Sequence, residues 1–337
     1  MGIDGVQSLF AVLGTAGLIL LWGNMVINGA MAAMLDTSWN GIFPDGSALK
    51  MSYTGIPPLD LILRILVTFF YPLMTDRVPY LVILDIVAAM LVINIMILVE
   101  SRRTSAPSWL RSCVQWQYQL NGAGVAVFLP LYSILFLKHR SPGRPLRLLE
   151  SEAQAVPMTA LWSLLLPIPL LMPAISGATP FQIQNGLVIY FFTPILFAMF
   201  HTAAGFASSR MSVSTFPGFV QPVRTAYEVV GVASAVIHFG ILAYALSSTE
   251  PGVSLTGLYY PDSSTVQRAG SSILRAGGLL FSQWDVLITT LATLLLAVSR
   301  QQSDPGSRIS AWTLTGITAA LGPGAALAYA LWNEEDR

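Results

Sequence analysis

The residues that can do chemistry in this chain are few, and most lie inside apolar runs. Asp60 and Arg64 fall in one run, Asp85 in the next, Glu228 and His238 in a later one, Asp285 in another, and His201 between them. An ionisable group inside a bilayer costs several kcal/mol, roughly, and faces a bundle interior or a water-filled cavity. A carboxyl group in a low-dielectric site favours its neutral form. It can then act as a Brønsted acid towards a lipid-soluble alkene or epoxide. Aromatic faces attract the cation that such protonation creates. A second carboxylate or an amide can receive the closing proton. That chemistry needs no metal and no dissociable cofactor.

What the chain lacks narrows the field. There is no Asp-rich metal motif of the DDxxD kind, no phosphate-binding G-x-x-x-x-G-K-[ST], no H-E-x-x-H and no G-x-S-x-G. The three histidines, His139, His201 and His238, are too widely spaced for a clustered di-iron site. A single cysteine, Cys113, rules out an internal disulfide and a multi-cysteine zinc site. Lys plus Arg and Asp plus Glu balance at 17 each, so no basic block suggests nucleic acid as a partner.

The elements that must position these groups are membrane helices. Of 337 residues, 54% are hydrophobic and 10% charged, and mean hydropathy is +0.65. Soluble domains carry about 25% charged residues. Spanning the hydrocarbon core takes roughly 20 apolar residues in a helix. The runs predict an all-α polytopic bundle of about nine spans (range 8–9), near 9–34, 57–75, 79–99, 115–137, 157–175, 183–208, 223–246, 279–299 and 311–332. The whole of 1–337 reads as one transmembrane domain, with 35–56 and 247–278 as capping loops on one face. The fifth run holds Pro157, Pro167, Pro169 and Pro173, which break or bend a helix. The basic loop with Lys138, Arg140, Arg144 and Arg147 places the N-terminus on the cytoplasmic side by the positive-inside rule.

With nine alternating spans, sequence order fixes depth. Asp60, Arg64, Asp285, His238, Asn28, Gln117 and Asn121 then gather in one half of the bundle, with Tyr53, Trp116, Trp284, Trp22 and Phe281 around them. Asp85, His201 and Glu228 fall in the other half. Each has a bland alternative. Asp60 and Arg64 share a helix face and can neutralise one another; the histidines can be core hydrogen-bonders; the aromatics can be packing and interface anchors.

Two stretches carry a resemblance. Ser52-Tyr53-Thr54-Gly55-Ile56-Pro57-Pro58-Leu59-Asp60 leads into one span, and Gln115-Trp116-Gln117-Tyr118-Gln119-Leu120-Asn121-Gly122 opens another. With the size and hydropathy, they resemble fungal membrane-bound meroterpenoid terpene cyclases of the ascofuranone and macrophorin type. The resemblance implies a lipophilic prenylated substrate, cyclised from a terminal epoxide or alkene in secondary metabolism, within membrane lipid of the endoplasmic reticulum. Asp60, which lies in the first of these stretches, is a catalytic candidate on both grounds, and Asp285 and Glu228 are catalytic candidates from the embedded-carboxyl chemistry alone. Arg64, Asn28, Trp116, Gln117, Asn121, Tyr53, His238 and Trp284 are the substrate-binding candidates. A proton-coupled transporter and a membrane O-acyltransferase using His201 or His238 stay open as alternatives.

Overall fold

In the computed structural model, which describes residues 3–140, 148–210, 220–302 and 309–335, the chain is helical throughout, with two isolated bridges and no strand among the described residues. Arg144 and Arg147 lie outside the described residues. The helices used below are α1 (Ile3–Leu18, continued through a π turn to Ile27), α2 (Ala30–Asn40), α3 (Pro57–Met74), α4 (Arg77–Arg102), α5 (Cys113–Ala123), α6 (Val125–His139), α7 (Glu150–Ser163), α8 (Ile168–Ile175), α9 (Pro180–Phe191), α10 (Thr193–Arg210), α11 (Val220–Ser247), α12 (Ile273–Gln302) and α13 (Ala311–Glu334). Among the described residues seven helical stretches are long and apolar enough to cross a membrane, or eight when the bent pair α9–α10 counts as one.

That is slightly fewer than nine, and the first reason lies at Gly124. The run 115–137 is not one helix. Gly124 (φ 100°, ψ 134°) separates α5 from α6 in a conformation open only to glycine. On a straight helix Trp116 and Tyr132 would stand about 24 Å apart, at roughly 1.5 Å per residue. Their rings are 5.2 Å apart, edge to face. The chain therefore enters, turns at Gly124 and returns to the end it came from.

The same device recurs within α13. Gly322 is non-helical (φ 89°, ψ 162°). Leu314 and Ala330 would also be about 24 Å apart on a straight rod, yet both belong to one three-residue cluster with Ala297. The arm 311–321 faces outward and the arm 323–334 is almost wholly buried. In both hairpins the second arm is the inner one.

The two returning arms are locked at the same end of the bundle. Arg140, just past α6, bonds Glu100 (Nη2 to Oε1, 2.6 Å), Glu334 (2.7 Å) and Glu335 (2.9 Å). Arg103 bonds Glu100 (2.8 Å) and Glu335, and Arg300 bonds Glu334. Glu100, Arg103 and Arg140 are fully buried at their side chains, so the centre of the network is closed to solvent. At the opposite end, Asp76 pairs with Arg275 (2.9 Å) and Arg77 with Glu250 (3.6 Å), which seats the 247–278 segment on the α3–α4 turn. Residues 41–56 run back along α3: Phe43 packs on Tyr71, and Thr54 reaches Asp60.

The centre is the pair α4 and α12. Almost every residue of α4 from Pro79 to Ser101 is buried, as befits a helix apolar on all sides. Each hairpin packs against this pair.

Candidate active site

Breaking a helix inside a bundle exposes backbone groups that must be satisfied by protein. At the Gly124 turn two side chains do this. Trp22 donates Nε1–H to the carbonyl of Ala123 at the end of α5 (2.8 Å). Asp285, on α12, accepts the amide of Ala126 in the first turn of α6 (Oδ1, 2.6 Å) and faces the Val125 amide as well. The carboxylate thus caps a helix N-terminus in a neighbouring segment, where the positive end of the helix favours negative charge. Gly124 is packed so closely that an added Cβ would lie 2.6 Å from Leu21 Cδ2.

Both capping residues also line a cavity of about 190 Å³. Its walls are apolar and aromatic: Phe69 and Phe70 from α3, Tyr190 and Phe191 from α9, Trp22 and Phe281, with Ile83, Val87 and Met90 from α4. Phe281 lies one turn before Asp285 and meets Trp22 (5.2 Å, 84°) and Phe69 (5.0 Å, 72°) edge to face. No Lys or Arg lines this cavity, and Asp285, 5% exposed, forms no ion pair among the described residues. An apolar chamber, aromatic faces and one carboxyl at its polar pole suit the stabilisation of carbocations.

A narrow crevice of about 30 Å³ continues from it past Tyr190 and Asn121, between Asn94, Gln117, Ser163 and Thr193. Asn94 Oδ1 and Gln117 Nε2 are buried there without a partner among the described residues. The crevice gives the chamber a small polar annex.

A family profile described as the CtvD domain matches residues 6–336. The chain belongs to the CtvD-domain family. Its relatives include proteins named terpene cyclase DEP1 from Alternaria brassicicola (28% identical, covering 97% of this chain and 98% of the relative) and from Fusarium langsethiae (28%, 98% and 98%). Another is terpene cyclase alnG from Emericella nidulans (29%, 89% and 85%). No solved structure matches the chain. These names agree with the expectation of an enzyme of the terpene cyclase class.

Within this CtvD-domain chain the other candidate residues go to different places. Asn121 lines the Asp285 cavity and Gln117 the adjoining crevice. Asp60 does not line the cavity. It accepts five hydrogen bonds from residues 52–55: the Ser52 hydroxyl (2.9 Å), the Tyr53 amide (3.1 Å), the Thr54 amide (2.8 Å) and hydroxyl (2.9 Å), and the Gly55 amide (3.1 Å). The SYTG-IPPLD stretch is therefore a loop wrapped around a carboxylate at a helix start. Arg64 does not pair with that carboxylate; its Nε lies 3.4 Å from the Asp60 carbonyl. Tyr53 donates to Gln184 Oε1 (3.3 Å), and its burial and the nearby Asp60 raise the phenol's pKa. Asn28 accepts the Ala30 amide (3.0 Å) at the Gly29 bend that ends α1. Trp116 donates to the Trp109 carbonyl, and Trp284 packs in the core around α3. Glu228 is exposed and accepts from Trp332 Nε1 (2.6 Å), one turn from the Arg140 network.

His238 and Asp85 lie at the same depth. They were expected in opposite halves, yet His238 Nδ1 meets Asp85 Oδ1 at 2.7 Å, and Tyr259 donates to Asp85 Oδ2 at 2.9 Å. The cause is the Gly124 hairpin, which removes one crossing and so brings the α3–α4 turn and the 247–278 segment to the same end. His201, between Glu152 (2.8 Å) and Thr159 (2.9 Å), is a fully partnered core histidine. Sequence reasoning missed Phe69, Phe70, Tyr190 and Phe191 as cavity walls. The Gly122-Ala123-Gly124 triplet was the available signal for a break beside them.

Proposed function

We propose that the chain is a terpene cyclase of fungal secondary metabolism. It cyclises the prenyl chain of a lipophilic meroterpenoid in the aromatic cavity headed by Asp285, in the membrane of the endoplasmic reticulum. The observation that carries this reading is a buried carboxyl, with no cation beside it among the described residues, at the pole of a chamber walled by Trp22, Phe69, Phe281, Tyr190 and Phe191. The names of the relatives support the reaction class.

In this mechanism neutral Asp285 gives its proton to a terminal epoxide oxygen or alkene carbon. Oδ1 is already held by the Ala126 amide, so Oδ2 carries the proton into the chamber. The carboxylate left behind is stabilised by the first-turn amides of α6, a pre-oriented dipole that needs no reorganisation. The cation migrates along the chain as double bonds attack it, and the aromatic faces offset its charge. Loss of a C–H proton from the last cation to Asp285 or through the Asn121–Gln117 crevice closes the balance, and the product is an isomer of the substrate. Asp60 supports this centre at a distance by shaping the 52–55 loop. Glu228 stands outside it.

The test is product formation in microsomes given a farnesylated phenol, with and without a terminal epoxide. The expected product has unchanged mass and shifted retention. It should vanish with Asp285→Asn in protein that still inserts. Undiminished product from that variant removes Asp285 as the acid.

A further inference from the structure

On the other face of the α4–α12 pair lies a separate groove of about 550 Å³. We propose that this groove is a second ligand site, which binds an uncharged lipophilic molecule through a hydroxyl group donated to His238 Nε2. The proposal does not rest on the cyclase reading.

The polar end of the groove is built around one histidine. Asp85 takes His238 Nδ1 on one oxygen and the Tyr259 hydroxyl on the other. A carboxylate oxygen faces Nδ1, so Nδ1 carries its hydrogen, and the Tyr259 bond helps keep Asp85 in that orientation. The Cβ–Cγ–Nδ1 side of the ring packs on Gly322, where an added Cβ would come within 2.7 Å of Cγ. The edge left to line the groove carries Nε2, which has no hydrogen-bond partner among the described residues. An acceptor so placed calls for a donor.

The remaining walls offer an anion no cation. Among the described residues no Lys or Arg lines the groove, whose other polar groups are the hydroxyls of Thr256, Tyr259, Tyr260, Thr290, Thr315 and Thr318. The hydroxyls of Thr315 and Thr318 are spent on their own helix, donating to the Ala311 carbonyl (2.9 Å) and the Leu314 carbonyl (2.8 Å). They offer lone pairs and methyl groups to a ligand. Leu242, Leu255, Val286, Leu287 and Ala319 supply apolar surface. The volume is in the range of sites for small organic ligands, roughly 300–1,000 Å³. A lipid alcohol or a prenylated phenol has the chemistry this lining accepts.

The experiment uses the full chain in lipid nanodiscs with 15N-labelled histidine. The protein has only three histidines, so the His238 signals are assigned by their loss in His238→Phe. Farnesol is titrated against farnesyl methyl ether, which has the same chain and no donor. Farnesol is expected to shift the His238 Nε2 resonance and to bind about tenfold tighter than the ether, the worth of one buried hydrogen bond. Thr315→Trp fills the groove from its exposed wall without touching the triad; it should abolish farnesol binding while leaving the free-state His238 resonance in place. Asp285→Asn should bind farnesol as wild type does. Equal affinity for the ether, a farnesol shift confined to another histidine, or wild-type binding by Thr315→Trp overturns the proposal. So does loss of binding in Asp285→Asn, which would place farnesol in the other cavity.

Discussion

The two hairpin tips solve one problem with different chemistry. At Gly124 the returning helix begins Val-Ala-Val, and its first amides are orphans that need an acceptor inside the bundle. Asp285 supplies it. At Gly322 the returning helix begins Pro-Gly-Ala, and proline in the first turn has no N–H to satisfy. The carboxylate nearby, Asp85, is left to a histidine and a tyrosine instead. The central pair α4 and α12 therefore presents one aspartate to each side. One meets backbone dipoles and an apolar chamber; the other is held on both oxygens by side chains. A carboxyl that is to give up a proton belongs at the first tip, and a carboxylate that orients an imidazole belongs at the second.

The largest effect should separate the two aspartates. Asp285→Asn keeps the shape of the cap but loses the acid, and product formation should fall by about 10²–10⁴-fold, the scale of a lost general acid. Asp85→Asn, in microsomes of equal expression, should hold within about tenfold of wild type on the same scale. Equal losses would mean that the two tips serve one reaction.

Next comes the clamp that both hairpins share. Glu100→Gln removes the charge between Arg103 and Arg140 and leaves buried guanidinium groups under-compensated. Breaking a buried pair in this way costs about 3–5 kcal/mol. The melting temperature in detergent should drop, and binding at both cavities should weaken together. Loss at one cavity only would show that the hairpins are clamped separately.

The tips themselves should differ in tolerance. Gly124→Ala and Gly322→Ala each force a side chain into positive φ, worth of order 1–3 kcal/mol. At Gly124 the clash is with the end of Leu21, which can swing away; at Gly322 it is with the His238 ring, held by Asp85. Gly322→Ala should therefore melt lower. The reverse order would show that Leu21 has no room to move.

The sequence made the all-α membrane bundle legible because long apolar runs with few charges admit little else. It also marked Asp285, with Asp60 and Glu228, as a candidate acid, because a carboxyl inside an apolar run is costly. The hairpins were hidden because hydropathy averaged over some 20 residues cannot tell a crossing from two short arms that return to one side. Only backbone conformation distinguishes them, and its traces were the glycines at 122 and 124 and the Gly-Pro-Gly at 322–324. The crossing miscounted at Gly124 also separated Asp85 from His238. Asp60 was visible as an embedded acid, but its five donors come from loop residues whose path no periodicity reveals.

The smallest effect tests how far the second tip depends on its third member. Tyr259→Phe removes one hydroxyl from Asp85 Oδ2 and leaves the His238 bond intact. The direct loss is about 0.5–1.5 kcal/mol for one hydrogen bond. Tyr259 sits in the short helix Leu255–Tyr259, which is also tied to α12 through the Gln283 side chain and the Gly257 carbonyl (2.9 Å), so the segment keeps its place. Asp85 would then have a free oxygen and could turn about its side-chain bond, relaxing its hold on the imidazole. The histidine 15N spectrum should show the two ring nitrogens of His238 moving towards one another as the Nδ1–H tautomer loses its preference. Unchanged resonances in Tyr259→Phe would mean that the Asp85–His238 bond and the Gly322 packing fix the ring alone. The second tip would then be a pair, with Tyr259 merely resting on it.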